Sequence, residues 1–389
     1  MKRTRKSIFA TGLLLAGLAT SLPCWAKNSK HGNGYVRHDL VSDTSTVPAD
    51  HHDSTLLNSW GIAFFPGGPF WINDNGSGIS ALYNGDGTGF FGANPALAVI
   101  IPTPSGTGTS APTGIVANTS FAFNLKKDGK PAIFIFATED GTISAWNLGD
   151  GFPTSPPTST AELKVDNSTE TCANGATGAV YKGLASGVNT TGVFLYATNF
   201  RCATVDAFDG TFAPATALSA KFKDSKIPGG FAPFGIANIQ GNLVVTYAMQ
   251  NPAKHDDVAG PGNGFVDIFD TSGNLIERFA TRGKLNSPWG IAAAPFNFGR
   301  FSNDLLIGNF GDGKINAYKT GGQFNGQLRD QSNSTIVIDG LWALTFGGAA
   351  LSDPGTLYFT SGPNGEADGL VGSLAPHGMP SIIPGRRPL

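Results

Sequence analysis

The sequence predicts an all-β fold, a six-bladed β-propeller with four-stranded antiparallel blades, and three observations carry that reading. A short phrase recurs six times along 389 residues at a nearly constant spacing. Each recurrence is followed by short strand-like runs with apolar/polar alternation. A strand missing from the last unit is available at the opposite end of the chain.

The phrase leads into Gly-Ile-Ala or a close variant. It reads Ser59-Trp60-Gly61-Ile62-Ala63, Pro112-Thr113-Gly114-Ile115-Val116 and Tyr181-Lys182-Gly183-Leu184-Ala185. It returns as Pro233-Phe234-Gly235-Ile236-Ala237, Pro288-Trp289-Gly290-Ile291-Ala292 and Leu341-Trp342-Ala343-Leu344-Thr345. From glycine to glycine (or Ala343) the steps are 53, 69, 52, 55 and 53 residues. A period near 50 is the mark of a radial array or a solenoid.

A second run ends each time in a polar turn, as in Phe70 to Asn73, Ile133 to Glu139 and Phe194 to Asn199. Leu243 to Tyr247, Leu305 to Asn309 and Leu357 to Ser361 continue the series. A third run alternates with period two, for example Gly141 to Trp146 and Gly264 to Phe269. Fourth strands are expected at Leu97–Ile101, Glu162–Val165, Leu218–Phe222, Leu275–Phe279 and Thr335–Ile338. Unit six ends near Leu374 without one, and Tyr35–Val41 can supply it. Closing first onto last removes an exposed sheet edge.

Composition agrees. The chain holds 53 Gly, 25 Pro and 28 Phe with only 14% charged residues, which suits many turn-punctuated strands and excludes disorder. Its formal net charge is −2 and no basic stripe follows the N-terminus, so nucleic-acid binding is not expected. Lys2, Arg3, Arg5 and Lys6 precede an apolar run from Ile8 to about Leu22, which reads as a secretory leader cleaved after Ala26. Cys24 would serve a lipoprotein, but Pro23 stands where lipid attachment needs a small residue. The expected divisions are leader 1–26, linker 27–34, propeller 35–376 and a Pro-rich tail 377–389. No later run is long enough to span a bilayer, so the mature protein is expected to be a periplasmic or extracellular monomer without membrane contact. Cys172 and Cys202 then remain, and an exported pair is expected to be bridged.

Several stretches resemble a family of exported bacterial β-propeller proteins, some of which carry a PEP-CTERM sorting tail. They are Leu57 to Ala63, Ala137 to Ile143, Ala232 to Gly235, Leu285 to Gly290, Gly308 to Gly313 and Gly340 to Leu344. The resemblance spans about Tyr35 to Leu374 and implies a propeller and export, without assigning an activity. The chain departs from the sorted members at 380–389, which has no apolar anchor before its Arg pair.

In a propeller the innermost strand starts, and the second strand ends, at one mouth of the central channel. That places Trp60, Thr113, Lys182, Phe234, Trp289 and Trp342 in one ring. The ligand-binding candidates are Trp60, Lys182, Phe234, Trp289 and Trp342, with Arg201 beside them, because indoles offer flat faces to a small molecule, glycan or peptide. The layout also resembles lactonase-type hydrolases on six blades, which implies one divalent cation at the mouth. Ca²⁺ would take oxygens from Glu139, Asn199, Asn309 and Asp74, though Asn and Asp before Gly also form ordinary turns. The catalytic candidates are Glu139 and the pair His255 and Asp256, as acid, base and orienting group. Two functions are expected from this mouth: a binding or scaffold module, or a hydrolase or lyase. No nucleophile-elbow, zinc-protease, P-loop or dinucleotide motif is present.

Overall fold

The computed structural model describes residues 34–378. The expected leader, linker residues 27–33 and tail residues 379–389 lie outside them. The described chain forms six antiparallel sheets, each built mainly from one repeat, arranged as a six-bladed β-propeller. Blade one is Ser59–Ala63, Phe70–Asp74, Ile79–Tyr83 and Ala98–Ile100. Blade two is Pro112–Ala117, Phe134–Thr138, Thr142–Trp146 and Glu162–Asp166. Blade four is Phe231–Ile239, Asn242–Met249, Phe265–Asp270 and Leu275–Thr281.

The innermost strands contact one another in cyclic order, blade six against blade one included. The repeated glycine makes that possible. A Cβ on Gly114 would sit 2.2 Å from the Leu184 backbone nitrogen, and one on Gly235 would sit 2.2 Å from the Trp289 carbonyl oxygen. These glycines therefore admit the neighbouring backbone. Buried polar side chains tie the same strands together. Thr113 Oγ1 donates to Tyr181 O at 2.7 Å, Thr198 Oγ1 donates to Phe234 O at 2.6 Å, and Thr360 Oγ1 donates to Trp60 O. Asn73 Nδ2 donates to Thr113 O at 3.1 Å. Each bond satisfies an inner-strand carbonyl that has no further strand to pair with.

Blade six consists of Leu341–Phe346, Leu357–Ser361 and Leu370–Pro376, and Tyr35–Ser42 completes it in antiparallel register, Tyr35 opposite Pro376. His51–His52 adds a short parallel strand outside it. Two expected fourth strands are corrected. Blade three, Tyr181–Asn189, Gly192–Asn199 and Thr204–Asp209, has only three strands. The expected Leu218–Phe222 segment begins inside a short helix, Thr216–Ser219, with Phe222 buried against blades three and four. In blade five, Pro288–Ala293, Leu305–Asn309 and Ile315–Tyr318 are joined by Phe324–Gln327, not Thr335–Ile338. Ile336 and Ile338 are buried in the core between blades five and six, and the segment makes single backbone bonds to Leu328 O and Gly313 O without extending a ladder.

Cys172 and Cys202 are bonded, with Cα atoms 5.0 Å apart and a sequence separation of 30 residues. The bridge ties the insertion before blade three to the turn between that blade's second and third strands. Reduction is expected to lower the unfolding free energy by about 3–4 kcal/mol through loop-closure entropy, read as a lower urea midpoint with and without reductant. Among the described residues, no helix is long and apolar enough to cross a membrane.

Candidate functional site at the axial mouth

At the mouth the aromatic ring closes on itself. The Trp60 and Trp342 rings stack with centroids 3.5 Å apart, and Phe310 stacks on Trp342 at 4.0 Å. Trp289 meets both tryptophans edge-on at 6.0 and 5.8 Å, and Phe234 lies 6.0 Å from Trp342. Trp60 and Trp342 are each 1% exposed and Phe234 is fully buried. The expectation of open indole faces for a ligand is thus corrected, because the rings satisfy one another and form a floor. Arg201 is likewise turned aside, its Nη1 donating to Thr177 O at 3.1 Å.

Above this floor sits a polar cluster drawn from several blades. The Lys182 stem is buried, with Nζ 5.2 Å from the Trp60 centroid and 6.0 Å from that of Phe200. Its ammonium donates to Glu139 Oε1 and lies 3.4 Å from Asp256 Oδ1. His255 Nδ1 lies 2.7 Å from the same Asp256 oxygen. Asn75 Nδ2 donates to Glu139 Oε2 at 2.9 Å, and Asn58 Nδ2 donates to Glu366 Oε2 at 2.7 Å. Trp342 Nε1 donates to Asn58 Oδ1 at 3.0 Å, and Trp289 Nε1 donates to Lys182 O at 2.9 Å. The floor and the cluster therefore form one network.

The electrostatics follow from these contacts. Burial opposes the charge on Lys182, but Glu139 and Asp256 outweigh it and hold its pKa above the ordinary lysine value. The hydrogen bond with His255 and the Lys182 charge hold Asp256 down at about 2. A depressed carboxylate stabilises the fold above its unfolded pKa, and that contribution is lost as pH falls from about 4 toward 2. In Lys182→Met the Asp256 carboxyl is expected to titrate higher than in the wild type, which carbon-detected NMR of the side chain reads directly.

The structure brings Glu139, His255 and Asp256 together, with one ligand-type atom of each within 4.8 Å of the others. Asp74 is not part of that group. Asn199 Oδ1 accepts from Val180 N and Cys202 N while its amide donates to Asp206. Asn309 Nδ2 donates to Lys284 O and Asp312, and Asp74 Oδ1 accepts from Ser59 Oγ at 2.8 Å across the first two strands of blade one. Of the expected Ca²⁺ set of Glu139, Asn199, Asn309 and Asp74, Asn199 is thus committed to backbone donors, whereas Asn309 Oδ1 and Asp74 Oδ2 are buried without a hydrogen-bond partner. At Glu139 and Asp256 the Lys182 ammonium already supplies the positive charge that a cation would bring. The residues do not fit a calcium ion unless that lysine leaves.

Sequence reasoning missed Asn58, Asn75, Phe200 and Phe310. The two phenylalanines had a signal, since each follows an asparagine at the end of a second strand, Asn199-Phe200 and Asn309-Phe310. Asn58 and Asn75 belong to turns, where asparagine is common for local reasons.

No family model matches the chain. It is 32% identical over 340 residues to uncharacterized protein R648 of Acanthamoeba polyphaga mimivirus, covering 86% of this chain and 78% of that protein. The chain belongs to the R648 family. The mimivirus protein L690 is 29% identical over 340 residues, covering 86% of this chain and 84% of L690. Among solved structures, virginiamycin B lyase from Staphylococcus aureus superposes with a TM-score of 0.47 at 14% identity, over 88% of this chain and 98% of that one. At that level the likeness concerns the path of the chain and says nothing of a shared reaction.

Proposed function

We propose that this R648-family propeller is a binding module that holds a small, donor-rich polar ligand, such as an amine or a glycan, at the axial mouth. The observation that carries the reading is the Lys182 cluster, a buried lysine neutralised by carboxylates from two other blades. Folding alone gains little from such an arrangement, because desolvating the charges offsets their attraction. The cluster opens to solvent at Asp256, whose side chain is 59% exposed. With Glu139, Asp256 and Glu366 gathered around one lysine, the opening favours hydrogen-bond donors and positive charge. The aromatic floor supports the geometry from below and does not touch the ligand.

Thermal melting with millimolar spermidine, and separately with maltotriose, tests this. One of the two is expected to raise the wild-type midpoint and to leave Asp256→Ala unshifted. A wild-type midpoint indifferent to both, or an equal rise in the variant, overturns the reading.

A second reading, a hydrolase or lyase, is favoured by the 2.7 Å contact between His255 and Asp256. That pairing is the one a general base and its orienting acid require. Turnover of a bound ligand that His255→Ala abolishes without weakening binding would select it. The leader-like N-terminus and the disulfide also support export, as in the bacterial propellers the repeats resemble. Recovery outside the cytoplasm of a chain beginning at Lys27 tests that point.

A further inference from the structure

The two faces of the ring differ in kind. Loops joining first to second strands, and third to fourth, all leave from the end opposite the polar mouth. These loops expose Phe91, Phe121, Leu148, Phe152, Val188 and Phe296. Phe121 is 95% exposed and Phe296 is 81% exposed. By contrast, among the described residues the mouth-face loops expose Val258 and Val337 but no aromatic side chain. Between the apolar tips the central channel opens as a cavity of about 520 Å³ walled by the six innermost strands, with no ionisable side chain in its lining.

Both faces are mixed in charge. The mouth-face loops carry Glu139, Asp140, Asp256, Asp257, Glu366 and Asp368, and also Arg201, Lys254, Arg282, Lys284, Lys314 and Arg329. On the opposite face Lys126, Lys127, Lys130, Arg300 and Lys319 are set against Asp86, Asp128, Asp150, Asp270, Asp304 and Asp353, and Lys127 reaches Asp150 at 3.9 Å.

We infer that the face opposite the mouth rests on a lipid surface, with its aromatic loop tips inserted at the level of the headgroups. Phe91 and Phe152 stand together at blades one and two, with ring centroids 6.4 Å apart. Val188, Ile276 and the pair Phe296 and Phe324 carry exposed apolar side chains on to blades three, four and five, so the set runs around most of the ring. A protein partner wants its apolar contacts gathered in one core patch. A flat interface can instead meet separated tips together, and aromatic side chains favour that depth. Because this face carries no excess of basic residues, the lipid that suits it is zwitterionic. The polar mouth then points away from the surface and stays open to solvent.

The test places an environment-sensitive fluorophore on the full chain carrying Cys24→Ser, through Phe121→Cys or Phe296→Cys, with Asn333→Cys as a control away from this face. Phosphatidylcholine vesicles are expected to shift the emission of the first two labels to the blue and leave the third unchanged. Vesicles carrying added phosphatidylserine are expected to bind no more tightly, and 1 M salt is expected to leave the shift in place, since at that ionic strength exposed charges are screened within about 3 Å. In the unlabelled full chain, Phe121→Ser with Phe296→Ser is expected to lower vesicle partitioning on the order of tenfold, from the apolar area withdrawn. An unshifted label at both positions, or a shift equal to that of the control, overturns the inference. So does light scattering that shows a dimer which the double serine variant separates, because the face would then belong to a second copy. The label readout keeps its meaning even if the apolar run at Ile8 to Leu22 holds the chain on vesicles, since that run alone would not bring both loop tips to the lipid.

Discussion

Trp342→Ala is expected to cost about 3–5 kcal/mol of stability, the range for emptying a large buried aromatic site. The indole stacks on Trp60 and Phe310, meets Trp289 edge-on and donates to Asn58. Its removal would open a void at the one place where several blades meet, and an innermost strand has little room to move inward. Backbone approach there is already close, since a Cβ on Gly290 would lie 2.6 Å from the Trp342 carbonyl oxygen. Urea unfolding monitored by tryptophan fluorescence measures the loss, with Phe121→Ser as an exposed control expected to change stability by less than about 0.5 kcal/mol. A loss below about 1 kcal/mol for Trp342→Ala would mean that the axis is not the packed plug described here.

Lys182→Ala is expected to cost a comparable 3–5 kcal/mol near neutral pH, because it strands Glu139 and Asp256 without their counter-charge. Lys182→Met keeps the aliphatic contact with Trp60 and Phe200 while removing the charge, so its smaller deficit isolates the electrostatic part. Adding Glu139→Gln to Lys182→Met is expected to recover much of that deficit, which a double-mutant cycle quantifies. Acidification should narrow the gap between Lys182→Ala and the wild type, since protonating the stranded carboxylates removes their unpaired charge. A gap that stays constant from pH 7 to pH 4, in urea melts at each pH, would place the role of Lys182 in packing alone.

The repeat made the fold readable because the geometry of a propeller demands it. In blades one, two, four and five the phrase is a backbone contact written into the sequence, since a Cβ at Gly61, Gly114, Gly235 or Gly290 would lie within 2.6 Å of the next inner strand, while blade six accommodates Ala343. The fourth strands were less legible because the outer edge of a blade has looser requirements. Thr335 to Ile338 has the alternation of a strand, yet it packs between blades without joining a ladder. At the mouth, register alone placed Lys182 near Glu139, and loop position placed His255 and Asp256 on the same side. Register could not say which side chains would face solvent. Trp60, Trp289 and Trp342 read as an open ring only until their side chains are seen to turn toward one another. Asn199 shares its residue type with metal ligands, but backbone N–H groups of Val180 and Cys202 already occupy its oxygen.

The pairing of Tyr35–Ser42 with Leu370–Pro376 sets an order of assembly. During synthesis the earliest strand emerges with no mate and must wait until nearly the whole chain has been made. Blades one to five can each form from neighbouring sequence, while the sixth is completed only when beginning meets end. The last step of folding is thus the one with the greatest separation along the chain, which makes it the slow one. Before it, the ring has a gap through which an unmated edge can recruit another molecule. A permuted chain that starts at Ser59 and carries 35–58 after residue 376 would present all six blades in local order, and it should close faster than the natural sequence.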